Sequence, residues 1–172
     1  MRSLELTLRS FSADADFAYG RIAKFEKYPE FVDEVRSVVV HEDTGGGSLV
    51  SEWDIFFRNG PLRWTEVDYF QPDRRRIVFE QTKGDFDVFR GSWQVVPVAD
   101  GCEVVFEATF DFGIPSLAGV LEPIATKVLK EAIATIVYRL LGEAHVVGDP
   151  ATATAVMARL GTADEPDTAL SA

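Results

Sequence analysis

The chain has 172 residues, 47% of them hydrophobic and 26% charged, which suits one domain with a sizeable core and a tail. A formal net charge of −11 and a pI near 4.6 oppose nucleic-acid binding and docking on an anionic membrane. The single cysteine, Cys102, excludes an internal disulfide, and no run reaches the ~18 apolar residues of a membrane span. A cytoplasmic protein without a membrane span is expected.

Leu4, Leu6 and Leu8 alternate with Glu5, Thr7 and Arg9, which predicts a half-buried first strand rather than a signal peptide. Ser12 or Asp14 can cap a helix running to about Phe25. Tyr28-Pro29 cuts that helix, because proline disfavours a helical conformation in the residue before it. A turn of helix through Phe31 and Val32 follows. Six strands are then expected, at Val35–Glu42, Leu49–Phe57, Leu62–Phe70, Arg76–Thr82, Phe86–Val96 and Glu103–Phe112. Gly45 to Gly47, Asn59-Gly60, Gln71-Pro72-Asp73 and Asp100-Gly101 supply turns between them.

Pro115 and Pro123 bracket a short helical piece, and Pro123 suits the first turn of a long helix. Apolar pairs from Ile124-Ala125 to Leu140-Leu141 repeat every four residues, and Gly142 ends the helix. It spans roughly 30 Å, enough to cross a small domain. Residues 1–145 form the expected domain, and 146–172 read as a polar, disordered tail, with a helical turn or two possible over Ala151–Leu160.

The fold class is therefore α+β: a curved, seven-stranded antiparallel sheet wrapped around one long helix. Such a sheet leaves a hollow of about 300–1,000 Å³ for an apolar guest. Period two sends Val104, Phe106, Ala108, Phe110 and Phe112 of strand seven inward, with Phe89, Gly91, Trp93 and Val95 of strand six. Trp53, Ile55 and Phe57 of strand three join them, and Phe79 and Gln81 of strand five are assigned inward. In strand four the set Leu62, Trp64, Glu66, Asp68, Phe70 carries two acids and is sent outward. That choice turns Arg63, Thr65, Val67 and Tyr69 towards the hollow, opposite Val128 and Ala132 of the helix. Small residues (Gly91, Ala108, Ala125, Ala132) facing large rings favour an open space.

Arg63 and Tyr69 are the candidate catalytic pair. Arginine stays protonated when buried and would anchor a ketone, enolate or carboxylate. Placed at a strand edge, it would instead pair with Glu66 or Asp54 in water. A tyrosine phenol can donate a proton to an enolate or simply orient a guest. Arg74-Arg75-Arg76 is either a solvated turn or a basic patch for an acidic partner. Metal and cofactor sites find no support: the two histidines, His41 and His145, stand apart, and no glycine-rich loop opens a helix.

Phe25-Glu26-Lys27-Tyr28-Pro29-Glu30-Phe31, Arg75-Arg76-Ile77-Val78-Phe79, Gly84-Asp85-Phe86 and Gly91-Ser92-Trp93 resemble segments of the coenzyme-Q-binding and polyketide cyclase/dehydrase families of the START-like, helix-grip superfamily. The resemblance covers residues 3 to 143. It implies a cavity for quinones, lipids or sterols in some members, and for poly-β-ketone chains undergoing aldol condensation and dehydration in the aromatase/cyclases. Those cyclases place an arginine on the cavity face of strand four, where this chain has Tyr69. The resemblance thus leaves a cyclase/aromatase, fed by an acyl carrier protein, beside a non-catalytic quinone or lipid carrier. Monomer and homodimer both remain open.

Overall fold

A computed structural model of the chain describes residues 1–41, 46–57 and 60–164. Its strands are β1 (Arg2–Ser10), β2 (Val35–His41), β3 (Ser48–Phe57), β4 (Gly60–Gln71), β5 (Arg76–Gly84), β6 (Val88–Val98), β7 (Gly101–Asp111) and β8 (His145–Val147). They form one antiparallel sheet in the order β2-β3-β4-β5-β6-β7-β1-β8. The helix-grip architecture is as expected, with eight strands in place of seven. The eighth, β8, adds to β1 with Leu8 opposite Val146.

Leu4, Leu6 and Leu8 are buried as the alternation of β1 requires, and β7 pairs with it so that Leu6 lies opposite Phe106 and Leu8 opposite Val104. Asp14, not Ser12, caps α1 (Ala15–Ile22), its Oδ1 accepting the Phe17 N–H at 2.9 Å. A 3₁₀ turn over Phe25–Glu30 carries Pro29, and buried Tyr28 there donates its hydroxyl to the Ile22 carbonyl at 2.7 Å.

The long helix α2 (Pro115–Leu141) runs unbroken through Pro123, so the two helical pieces expected from the prolines are one. Pro123 brings no N–H to the preceding turn, and four residues after Glu122 the Thr126 hydroxyl donates to the Glu122 carbonyl at 2.8 Å. The stripe Ala125, Leu129, Ala132, Ile136 and Leu140 is buried against the sheet. Ala134 and Thr135, on other sides of α2, are buried too.

A third helix, α3 (Pro150–Asp164), packs on α2. The expected disordered tail is thus corrected through residue 164: residues 145–164 form β8 and α3, while 165–172 lie outside the described residues. Thr152, Val156 and Leu160 recur every four residues and are the buried ones among the described side chains of α3. Three such residues among alanines and threonines are too sparse a stripe to read without knowing its partner. Asp149 caps α3 through the Thr152 N–H at 3.2 Å and pairs with Lys130 of α2 at 2.9 Å.

Candidate functional site

Between the sheet and α2 lies a cavity of about 50 Å³. Trp53, Ile55, Trp64, Glu66, Phe79, Phe89, Trp93 and Phe106 line it from the sheet, and Val128, Leu129, Ala132, Ile133 and Ile136 from α2. Phe25, Glu34 and Val35 complete it. The volume falls well below the 300–1,000 Å³ expected, because the rings turn into the space that small residues leave. Trp53 stacks on Trp64 at 5.7 Å, Trp64 meets Phe89 edge-on at 5.1 Å, and Phe79 stacks on Phe106 at 5.8 Å. Gly91 leaves no void either. A Cβ there would stand 2.0 Å from the Glu107 carbonyl oxygen and 2.7 Å from the Phe79 ring, so the glycine makes room for that ring.

The facing of β4 is reversed from expectation. Trp64, Glu66 and Asp68 are buried, while Arg63 and Tyr69 are exposed. The two acids are tolerated inside because each meets a donor, Glu66 from its own strand and Asp68 from β3. Trp64 Nε1–H donates to Glu66 Oε1 at 2.8 Å. Trp53 Nε1–H donates to Ser51 Oγ at 2.8 Å, and the Ser51 hydroxyl donates to Asp68 Oδ2 at 2.5 Å. Burial first, then the hydrogen bond and charge of Asp68, push Glu66 well above the usual carboxylate range, against the opposing pull of Trp64. Burial also raises Asp68, with the bonds from Glu66 and Ser51 acting the other way. Both carboxyls are thereby pushed towards the protonated form, Glu66 the more strongly.

Glu34 marks the mouth. It belongs both to the cavity wall and to a surface depression with Asp33, Arg36 and Phe56. Arg159 of α3 pairs with Glu34, so α3 reaches from α2 to the start of the edge strand β2 across this opening. Arg74–Arg76 lies elsewhere. The Phe56 N–H bonds the Glu34 carbonyl at 2.7 Å, at one end of β3, whereas Ser48 lies opposite Tyr69 and Gln71 opposite Arg76 at the other. Arg75 is engaged with Asp16 at 2.8 Å.

Of the expected ligand-binding residues, Trp53, Ile55, Phe79, Phe89, Trp93, Phe106, Val128 and Ala132 do line the cavity. Phe110 is fully buried in the core behind it. Gln81 points inward beside the cavity, donating its amide to the Phe86 carbonyl at 2.8 Å. Thr65 and Val67 take the outer face with Arg63 and Tyr69, and the Phe57 side chain lies outside the described ones. Arg63 pairs with Asp54 at 3.2 Å on the outer surface, the strand-edge alternative. Tyr69 borders an outer groove with Arg76, Glu80, Arg90 and Glu107. His41 and His145 are exposed, bonded to Glu52 and Glu143 at 2.6 and 2.7 Å. Among the described residues, no three His, Cys, Asp or Glu side chains cluster to hold a metal, and no helix is long and apolar enough to cross a membrane.

Sequence reasoning missed Glu66, Asp68, Trp64, Phe25 and Glu34. The available signal was the apolar company of the acids: Leu62, Trp64 and Phe70 on one face outweigh Val67 and Thr65 on the other. Charge count was given more weight than ring count.

No curated protein matches the chain significantly. Among solved structures, a protein of Thermus thermophilus is 25% identical with a TM-score of 0.71, over 81% of this chain and 95% of its own. The Zhui aromatase/cyclase of a Streptomyces species is 18% identical with a TM-score of 0.67, over 82% and 92% of the two chains. A START superfamily protein of Mycobacterium smegmatis is 16% identical with a TM-score of 0.63, over 82% and 94%. The latter two likenesses bear on fold alone. Residues 11–137 match the family described as polyketide cyclase/dehydrase and lipid transport, and to that family this chain belongs.

Proposed function

We propose that the interior binds an aromatic or polyketide-like molecule and promotes its cyclisation and dehydration, with Glu66 and Asp68 as the acid–base group. The observation that carries this reading is a buried carboxyl, Glu66, in the wall of a largely aromatic and aliphatic cavity, where burial pushes it well above the usual carboxylate range. Rings on several sides suit planar guests. Confinement of a flexible chain brings its reacting carbons together and supplies several kcal/mol of barrier reduction. The carboxyl pair can take a proton from a carbon beside a carbonyl and return one to a departing hydroxyl, which leaves as water. The pair ends with the protons it began with.

A guest larger than the 50 Å³ cavity requires α2 to move away from the sheet, and with it α3. A carrier protein presenting the guest would meet Arg36 and Arg159 at the mouth rather than the distant Arg74–Arg76 turn. The second reading is a non-catalytic carrier of a quinone or lipid, which the nearly all-apolar lining favours.

The test follows product formation from a synthetic poly-β-ketone chain by chromatography. Glu66→Gln is expected to lose cyclised product while retaining guest binding, whereas Arg63→Ala and Tyr69→Phe leave both intact. Unchanged product from Glu66→Gln overturns the acid–base assignment. Binding without turnover in the unaltered protein selects the carrier.

A further inference from the structure

Resting on the reading of the interior as a guest site, we infer that the Trp93 indole N–H anchors a carbonyl oxygen of the guest, at the end of the cavity remote from Glu66. The guest is then a molecule with oxygens spread along its length, and not one that presents a bare hydrocarbon chain there. All three tryptophans of the chain, Trp53, Trp64 and Trp93, line the cavity, and each brings one N–H donor. Two are spent within the chain: Trp53 donates to Ser51 Oγ and Trp64 to Glu66 Oε1. Trp93 is 3% exposed, and its N–H has no hydrogen-bond partner among the described residues. A buried indole N–H ordinarily finds one, so this donor is left for whatever occupies the cavity.

The surroundings of Trp93 offer no substitute. Its ring neighbours are Phe106 at 4.8 Å and Tyr28 at 6.2 Å, and a ring face is a weak acceptor. The Tyr28 hydroxyl is given to the Ile22 carbonyl. The carboxyls of the wall stand elsewhere: Glu34 pairs with Arg159 at the mouth, and Glu66 belongs to another row of the sheet. Phe70 lies opposite Ile77 and Ile77 opposite Trp93, whereas Glu66 lies opposite Gln81. Trp93 is thus two strands across and four residues along from Glu66. At ~4.8 Å per strand and ~3.3 Å per residue, that is roughly 16 Å over the sheet. One guest carbonyl cannot meet both groups. A poly-β-ketone chain, with an oxygen on every second carbon, meets Glu66 at its reacting part and Trp93 further along. The hydrocarbon tail of a lipid or a quinone leaves the N–H unpaired, and a buried donor without a partner selects against such a guest.

Two small probes test the anchor by itself: acetophenone, and α-methylstyrene, which has the same shape with a CH₂ group in place of the carbonyl oxygen. Binding to the ¹⁵N-labelled protein is read at the three indole N–H signals, and the carbonyl stretch of ¹³C-labelled acetophenone by infrared difference spectroscopy. In the unaltered protein the Trp93 signal should move downfield with acetophenone and not with α-methylstyrene, and the bound carbonyl stretch should fall below its position in hexane. Trp93→Phe keeps a ring in the wall. It should weaken acetophenone about tenfold and α-methylstyrene less than about twofold, and return the stretch to its position in hexane. A stretch already at the hexane position in the unaltered protein, a low stretch that survives Trp93→Phe, or equal weakening of both probes overturns the inference and leaves the guest site standing. Indole signals unmoved by both probes overturn the guest site as well.

Discussion

The two ends of the interior are walled by the same sheet and the same helix, yet they are filled in opposite ways. Under α1 and the last turns of α2, Leu6, Leu8, Ile22, Val104, Val137 and Leu140 are at most 3% exposed and take no part in the cavity wall. Branched aliphatic side chains fit between one another in low-energy rotamers and reach the density of a crystal. Under the middle of α2, flat rings meet edge to face, and their fixed shapes leave a gap that no neighbour can close. One end is built for stability, and the other gives up contacts to keep room and two carboxyl groups.

The difference predicts unequal costs of truncation. Leu8→Ala in the packed end should destabilise by about 2–5 kcal/mol, whereas Ile133→Ala in the cavity wall should cost about 1 kcal/mol. Urea midpoints of the two variants measure the contrast, and equal losses would break it.

The two ends should also respond oppositely to pH. Burial pushes Glu66 well above the ordinary carboxylate value that it has when unfolded, so the native state binds the extra proton between those values. Its contribution is complete below the ordinary value and is lost as pH rises towards the raised one, by up to about 1.4 kcal/mol per pH unit. Glu66→Gln should flatten that fall in urea unfolding between pH 5 and 8. Near the packed end, burial pushes Glu143 up, but the Phe11 N–H and the Ser10, His145 and Ser12 side chains more than offset it and leave Glu143 low. That contribution is present above the ordinary value and is lost as pH falls through the lowered one. Glu143→Gln should therefore lessen the loss of stability on acidification.

Filling the gap sharpens the comparison further. Ala132→Val adds two methyl groups to the cavity wall and should change stability by less than about 1.5 kcal/mol while weakening binding of an aromatic guest severalfold, read by tryptophan fluorescence. The smallest effect is expected at the mouth. Arg159→Ala removes a partly exposed ion pair, costing at most about 1 kcal/mol, and should speed guest exchange in stopped-flow tryptophan fluorescence.

Strand order, turn positions and the long helix were legible in the amino-acid sequence because each rests on local chemistry. Period-two alternation in β1 and β7, the Gly101 turn at φ 119° and the Gly142 cap at φ 82° need no distant partner to be read. Eight of the proposed cavity residues were legible for the same reason. The site's chemistry was not. Alternation in β4 defines two faces but cannot say which is inside when one carries rings and acids together and the other an arginine and a tyrosine. Only the tertiary structure decided it, by covering the face of Trp64, Glu66 and Asp68 and bringing Ser51 of β3 to Asp68. Likewise, three spaced residues in α3 make a buried face only against α2, whose position no local pattern contains.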